Sequence, residues 1–297
     1  MDCITQFIGK DWRLLLSELF YLAGCIIVPA TKAKFDYEKN LYKTPQPYKM
    51  ETKDLSTLRL RYCIESFPEK EDLKVIEIGC GQAAYIATIA SIKNNSECYG
   101  FDISKAAIKN ASRSHNNVYL LAADAQRIPF ADKYFDVVII FDVLEHLEDV
   151  RATLKEAKRI LKDDGVFHCH VPCEGETLTW TWIANKIHIG NTLKYSYAGH
   201  IQQFKKKDII NLIEEQFTIK RVHYSFHFLG QISDLFIYAL KYLESKPFKN
   251  LKLVSYLMKK SWNIIKKIRI AAYNESLFLK DRSLFALALH IDAAKSN

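Results

Sequence analysis

Between residues 73 and 171 the apolar positions change rhythm repeatedly. Residues 73–78, 97–103, 118–123, 135–141 and 166–171 are short runs rich in apolar and aromatic residues, and such runs read as strands. After the first of them apolar-periodic spacing continues to about Ile92, a helix begins after Ser104 as its N-cap, and Leu147 to Leu161 again follows helical spacing. Lys162-Asp163-Asp164-Gly165 reads as the stop of that helix. Further on, residues 207–217 read as a helix, 218–226 as a sixth strand and 284–291 as a seventh. Strands alternating with helices of this length predict an α/β fold, a Rossmann-like parallel sheet with helices on both faces. Continuous apolar runs such as Val137 to Phe141 suit strands buried on both sides.

The ends are different. Residues 1–70 read as a helical lead-in, in which Leu14 to Val28 is strongly apolar but interrupted by Glu18 and ended by Pro29. Lys10 and Arg13 ahead of that stretch would suit a signal peptide, yet a buried or membrane-facing helix is the expectation. Residues 35–48, with Pro45 and Pro47, read as an aromatic loop.

Composition adds little beyond an ordinary globular chain of 297 residues, 49% hydrophobic and 26% charged. Charge is more informative by location: residues 220–270 hold eleven Lys and Arg against Asp234 and Glu244, out of a net +8 for the whole chain. An anionic partner is therefore to be sought in that segment. Seven scattered cysteines, an odd number, predict reduced thiols and a cytoplasmic setting rather than a disulfide framework. No run of eighteen uncharged apolar residues is present, so no spanning helix is expected.

The chemistry starts where the first strand runs into Gly79-Cys80-Gly81. A strand ending in two glycines provides a tight turn and a close approach for a ligand. Gly79-x-Gly81-x-x-Ala84 also fits a dinucleotide fingerprint, and Asp102 at the end of the second strand could take ribose hydroxyls in either kind of site. Glu77, two residues before the first glycine, is not something a nicotinamide site needs.

Taken in order, several pieces resemble the class I S-adenosylmethionine-dependent methyltransferases, closest to the broad group that includes the ubiquinone and menaquinone biosynthesis methyltransferases. They are 75–83, Asp102, Ala123-Asp124-Ala125, the stretch from Ile128 into the fourth strand, its exit through Phe141-Asp142-Val143-Leu144-Glu145-His146-Leu147, and Arg159-Ile160-Leu161-Lys162-x-x-Gly165. The resemblance covers roughly 70–228 and the final strand. It departs at Ala83, where the usual loop has a third glycine.

It implies a seven-stranded sheet formed by 71–228 plus 284–297, a helical extension or lid at 1–70, and a basic helical insertion at 229–283. It also implies S-adenosyl-L-methionine as cofactor and S-adenosyl-L-homocysteine as product. Glu77, through the loop, and the Gly79, Cys80 and Gly81 backbone would then surround the methionine part. Asp102 would bind the ribose hydroxyls and Ile103 would pack on adenine. Asp124, with Ala125 beside it, would meet the adenine amino group, while Phe141 and Asp142 would line the methyl-donor end.

Methyl transfer needs mostly positioning in a dry pocket. A hydroxyl acceptor would gain from a general base, for which His146, His200 and Glu174 are the candidates. The Asn/Asp-Pro-Pro-Tyr/Phe motif of base and glutamine methylases is absent after the fourth strand. Cys169, His170 and Cys173 with His168 do not form an expected metal site, because Cys and His alternate faces along a strand.

The acceptor is therefore expected to be a small molecule or lipid, attacked at oxygen. Leu251, Val254, Met258, Trp262, Ile265 and Ile268 share helical spacing, with Lys252, Lys259, Lys260, Lys266 and Lys267 largely on other faces. That suits either peripheral membrane contact through 246–270 or a helix packed on the core. No RNA-binding module accompanies the basic segment. An RNA-directed methyltransferase, or a cofactor-binding protein without turnover, are the alternatives.

Overall fold

A computed structural model describes residues 36–38, 46–177, 179, 182, 199–244 and 252–296. The apolar stretch 14–28, the basic residues before it, Cys3, Cys25 and most of the 35–48 loop lie outside the described residues, as does Leu251.

Seven strands form one sheet: β1 (Lys74–Ile78), β2 (Glu97–Asp102), β3 (Tyr119–Ala122), β4 (Phe135–Phe141), β5 (Leu161–Pro172), β6 (Phe217–Ser225) and β7 (Ala288–Lys295). Their order is β3-β2-β1-β4-β5-β7-β6. Neighbours are parallel except that β7 runs antiparallel to both β5 and β6. The order reverses between β1 and β4, which opens a crevice at the carboxyl ends of those strands.

Both faces of the sheet carry a core, which is why its central strands read as unbroken apolar runs. Along β4, Val138 and Ile140 join Ile76, Ile78, Leu154 and Ile209 on one side. Val137, Ile139 and Phe141 join Val75, Ile86 and Ile108 on the other. The helices that cover these faces are α1 (Leu55–Ile64), α2 (Ala84–Ile92), α3 (Lys105–Ser114), α4 (Val150–Ile160) and α5 (Lys206–Glu214). Asp54 caps α1 and Ser104 caps α3, each accepting from the first-turn amides.

Two helices lie between β6 and β7: α6 (Phe228–Glu244) and α7 (Lys252–Phe278). Ala272 and Tyr273 of α7 pack on Leu55, Leu58 and Tyr62 of α1. In the described part of the basic stripe, Ile265 is buried and Trp262 and Ile268 are half-buried, while Lys259, Lys260, Lys266 and Lys267 are exposed. That part of the stripe therefore faces protein. The side chains of Lys252, Val254 and Met258 lie outside the description.

Two boundaries differ from the sequence reading. β5 begins at Leu161, directly after α4, where a helix stop was expected at 162–165. Leu161 pairs with Phe135 ahead of a register shift. Gly165 serves close packing there: a Cβ on it would stand 2.6 Å from Leu161 Cδ1 and 3.0 Å from the Asp136 carbonyl oxygen. β7 lies four residues later than the apolar run 284–291, because Leu284 and Phe285 are exposed and the strand continues through a buried Asp292. The five described cysteines are free and buried.

Candidate functional site

A cavity of about 840 Å³ occupies the crevice at the carboxyl ends of β1, β2 and β4, and every site residue anticipated from the sequence lines it. On its first wall, Gly79 and Gly81 both have positive φ (73° and 53°), which glycine adopts without steric cost. A Cβ built on Gly81 meets nothing within 4 Å, so the turn borders open space. Ala83, where the family loop has glycine, also has positive φ (69°) and is fully buried. The left-handed backbone thus persists without its usual residue.

Asp102 ties this turn to β2. Its carboxylate accepts from Gly81 N at 2.8 Å and from Ser104 N at 2.9 Å. Burial pushes its pKa up, and those amides partly offset the shift. Ile103 beside it is 62% exposed. Asp124 accepts from Gln126 N, shaping the turn after β3. Glu77 is buried beneath the loop and accepts from Ile86 N at 3.0 Å. Burial drives its pKa from 4.5 up to about 8, against the pull of that amide.

The adjoining wall is built from the exit of β4, whose Val143 lies against Gly79. Asp142, at positive φ (52°), is ion-paired with Arg59 and lies 2.7 Å from His170 Nδ1. Burial alone would raise its pKa, but Arg59 and then His170 outweigh that and hold the carboxyl well below its ordinary range. Beyond it a short 3₁₀ turn (Leu144–His146) presents Glu145 and His146. His146 stacks edge-on with His200 at 4.8 Å between ring centroids. His200 Nδ1 is 3.0 Å from Glu174 Oε1. Desolvation first, and then His200, lower the His146 pKa to about 4. Glu145, buried and facing Asp142, titrates well above the usual carboxylate range.

Three contributors were missed in the sequence. Arg59 comes from α1, and its guanidinium is buried, bonded to Tyr85 Oη at 3.0 Å and paired with Asp142. Nothing in the spacing of 55–64 marks an arginine as inward-facing. Tyr37 reaches His146 Nδ1 at 3.2 Å, and Glu38 next to it caps α3 by accepting from Lys105 N and Ala106 N. Glu145 stands in the quoted motif, yet only its burial singles it out. Cys169 and Cys173 pack into the core with Phe167 and Val171, while His168 faces Asp292 and His170 faces Asp142. These cysteines and histidines do not converge.

Residues 76–169 match the family model of a methyltransferase domain. Among curated relatives, a demethylmenaquinone methyltransferase of Staphylococcus saprophyticus is 32% identical over 34% of this chain and 45% of its own length. One from Anoxybacillus flavithermus is 28% identical over 55% of this chain and 67% of its own. An uncharacterised protein of Methanocaldococcus jannaschii is 34% identical over 51% of this chain and 56% of its own. The chain thus spans less than half the length of the staphylococcal relative.

Among solved structures, a [4+2]-cyclase aligns with a TM-score of 0.54 at 12% identity, covering 97% of this chain and 95% of its own. The geranyl diphosphate C-methyltransferase of Streptomyces coelicolor aligns with 0.52 at 11% identity, covering 82% and 79%. At such identities these likenesses show the fold alone.

Proposed function

This chain carries a class I methyltransferase domain over residues 76–169, and from that premise we propose that the protein transfers a methyl group from S-adenosylmethionine to an oxygen of a small, lipid-like acceptor. The observation that carries the reading is the shared cavity: a glycine turn with an acid at its edge on one wall, and a cluster of imidazoles and carboxyls on the other.

The residues present fit the cofactor. Space lies open beside Gly81. Asp102 uses one lone pair on each oxygen for backbone amides, which leaves capacity for a pair of hydroxyls. Ile103 offers an apolar platform for a flat base, and Asp124 lies at the same end of the cavity. Bound there, the cofactor supplies an activated methyl on a sulfonium. Glu77 would set the loop from beneath, and the paired Arg59 and Asp142 would hold a fixed charge arrangement near the methyl end. An acceptor hydroxyl would be held against Glu145, His146 and His200. His146, with a pKa of about 4, is mismatched to proton removal at neutral pH.

Two features support a lipid-like acceptor. The cavity lining includes the apolar Leu147, Phe226 and Leu287. Outside it, Phe278 (82% exposed) and Leu284 (67%) lie two residues from Lys280 and Arg282 respectively, an arrangement suited to peripheral contact with an anionic bilayer. No helix among the described residues is long and apolar enough to cross a membrane.

The test uses methyl-labelled cofactor, extract of the native source, and phase partition of the product. Label should enter the organic phase with the wild-type chain and fall to background with Asp102→Ala. The same variant should bind S-adenosylhomocysteine at least about tenfold more weakly, as loss of charge-assisted hydrogen bonds worth about 1.5–3 kcal/mol requires. Aqueous label alone would replace the lipid with a soluble acceptor. Cofactor binding with no labelled product would mean a binding protein rather than an enzyme.

A further inference from the structure

Glu145, His146 and His200 face one another without hydrogen-bonding. Glu145 Oε1 lies 3.9 Å from His146 Nε2 and 4.0 Å from His200 Nε2, beyond hydrogen-bond range. Among the described residues, neither carboxyl oxygen of Glu145 has a hydrogen-bond partner, although the side chain is only 1% exposed. A buried, unpartnered carboxyl is costly and calls for an explanation.

The imidazole protons are engaged elsewhere. His146 Nδ1 is 3.0 Å from the carbonyl oxygen of Gly199. A carbonyl only accepts, so the proton sits on Nδ1 and the Nε2 lone pair faces Glu145. His200 Nδ1 likewise donates to Glu174 Oε1, which turns its own Nε2 lone pair toward Glu145. Two imidazole lone pairs therefore converge on the Glu145 carboxyl, which a bound cation would hold in its ionised form.

Their spacing suits a cation. One ligand atom from each residue can be chosen so that all lie within 4.8 Å of one another. Glu145 Oε1 is 3.9 and 4.0 Å from the two Nε2 atoms, and with the third side no longer than 4.8 Å the point equidistant from all three is about 2.0–2.5 Å from each, near the ~2.0–2.2 Å bonds that imidazole and carboxylate make to zinc. The frame is also set in advance. Ile201 N and Gln202 N both donate to the Glu145 carbonyl oxygen, at 2.9 and 3.0 Å, and fix the His200 loop to the 3₁₀ turn. Glu174 and the Gly199 carbonyl hold the two rings from behind, as outer partners of metal-binding imidazoles do.

We propose that Glu145, His146 and His200 form a binding site for a divalent transition-metal cation of the zinc, manganese or iron(II) kind, with its remaining positions open to the cavity. Two imidazoles and one carboxylate on one side of an ion leave such positions free. Resting on the function proposed above, the open positions would take an oxygen of the acceptor, so that the cation orients the hydroxyl and lowers its pKa, its proton passing to water before the oxygen takes the methyl and S-adenosylhomocysteine leaves. The imidazoles are then ligands rather than bases.

The test is metal binding to the full chain after chelator treatment, with Zn²⁺ in calorimetry and Co²⁺ in visible absorption. One equivalent should bind, and the Co²⁺ form should show the absorption of a low-symmetry nitrogen and oxygen site. His146→Ala and His200→Ala should each weaken binding at least tenfold. Glu174→Gln should weaken it less and keep the stoichiometry. S-adenosylhomocysteine affinity, measured on the same samples, reports that each variant is folded.

Binding far below one equivalent, or unchanged binding in a folded His146→Ala/His200→Ala double variant, would overturn the site. The two readings fail separately. Metal binding without S-adenosylhomocysteine binding would overturn the proposed function and leave the site standing; the reverse result would remove the site alone.

Discussion

Glu77 couples the cofactor loop to pH through one buried carboxyl. Its pKa rises from 4.5 to about 8 because burial disfavours the charge more than the Ile86 amide stabilises it. Between those values the folded chain keeps a proton that the unfolded chain has lost. Stability should therefore fall as pH rises across that window and be insensitive to this group below it. Glu77→Gln keeps an oxygen for Ile86 N and carries no charge. The variant should gain on the wild type by up to about 1.4 kcal/mol per pH unit within the window. Urea melts of both proteins at pH 5, 6, 7 and 8 would measure this. Parallel stability curves would mean that Glu77 ionises alike in the folded and unfolded chains. Ala83 shows a different kind of residue-scale constraint: a left-handed turn retained with a Cβ, whose cost is borne by the surrounding packing.

Among the elements, β7 shows best where sequence reading succeeds and where it stops. β1, β2 and β4 were legible because each is a short apolar run with a core on either face. Ser104 was legible because capping is local chemistry. β7 was placed four residues early, since its second half contains Asp292, a residue that argues against a buried strand until its partners are known. Those partners are His168 on β5 and Arg221 on β6, the latter at 2.6 Å. One carboxylate thus joins the antiparallel strand to both neighbours. Arg59 escaped notice for the same reason: its partner Asp142 is 83 residues away. Pairing across such distances leaves no periodic trace. Asp292→Ala should cost about 2–3 kcal/mol, toward the lower end for breaking a buried pair because Arg221 keeps some contact with water. Asp292→Asn, which still accepts from His168, should recover part of that loss. A lower urea midpoint with an unchanged slope would fit; an unchanged midpoint would mean the three groups are not coupled.

At the scale of the whole molecule, the sheet sets where chemistry occurs and the inserted helices bear on what reaches it. The reversal of strand order between β1 and β4 places the cavity, and this followed from the glycine turn and the alternation of elements. The insertion was less legible, since a basic amphipathic helix reads the same whether its apolar stripe meets lipid or protein. In the structure the described part of that stripe is turned inward, with Ile265 buried and Trp262 and Ile268 half-buried. On the proposed reading, bilayer contact would use the exposed Phe278 and Leu284, with Lys280 and Arg282 near them in sequence. Vesicle sedimentation separates the two designs. Binding should require anionic lipid and weaken as salt rises, because exposed lysines and arginines contribute about 1 kcal/mol each near such a surface. Phe278→Ser with Leu284→Ser should reduce binding at least tenfold, since each side chain gives up about 1.5–3 kcal/mol of apolar burial when it inserts fully. Folding should be little affected, because both side chains already lie in water. Trp262→Ser should instead lower thermal stability and leave vesicle binding intact. If Trp262→Ser alone abolished vesicle binding in a stable protein, the stripe would have to turn outward at the membrane.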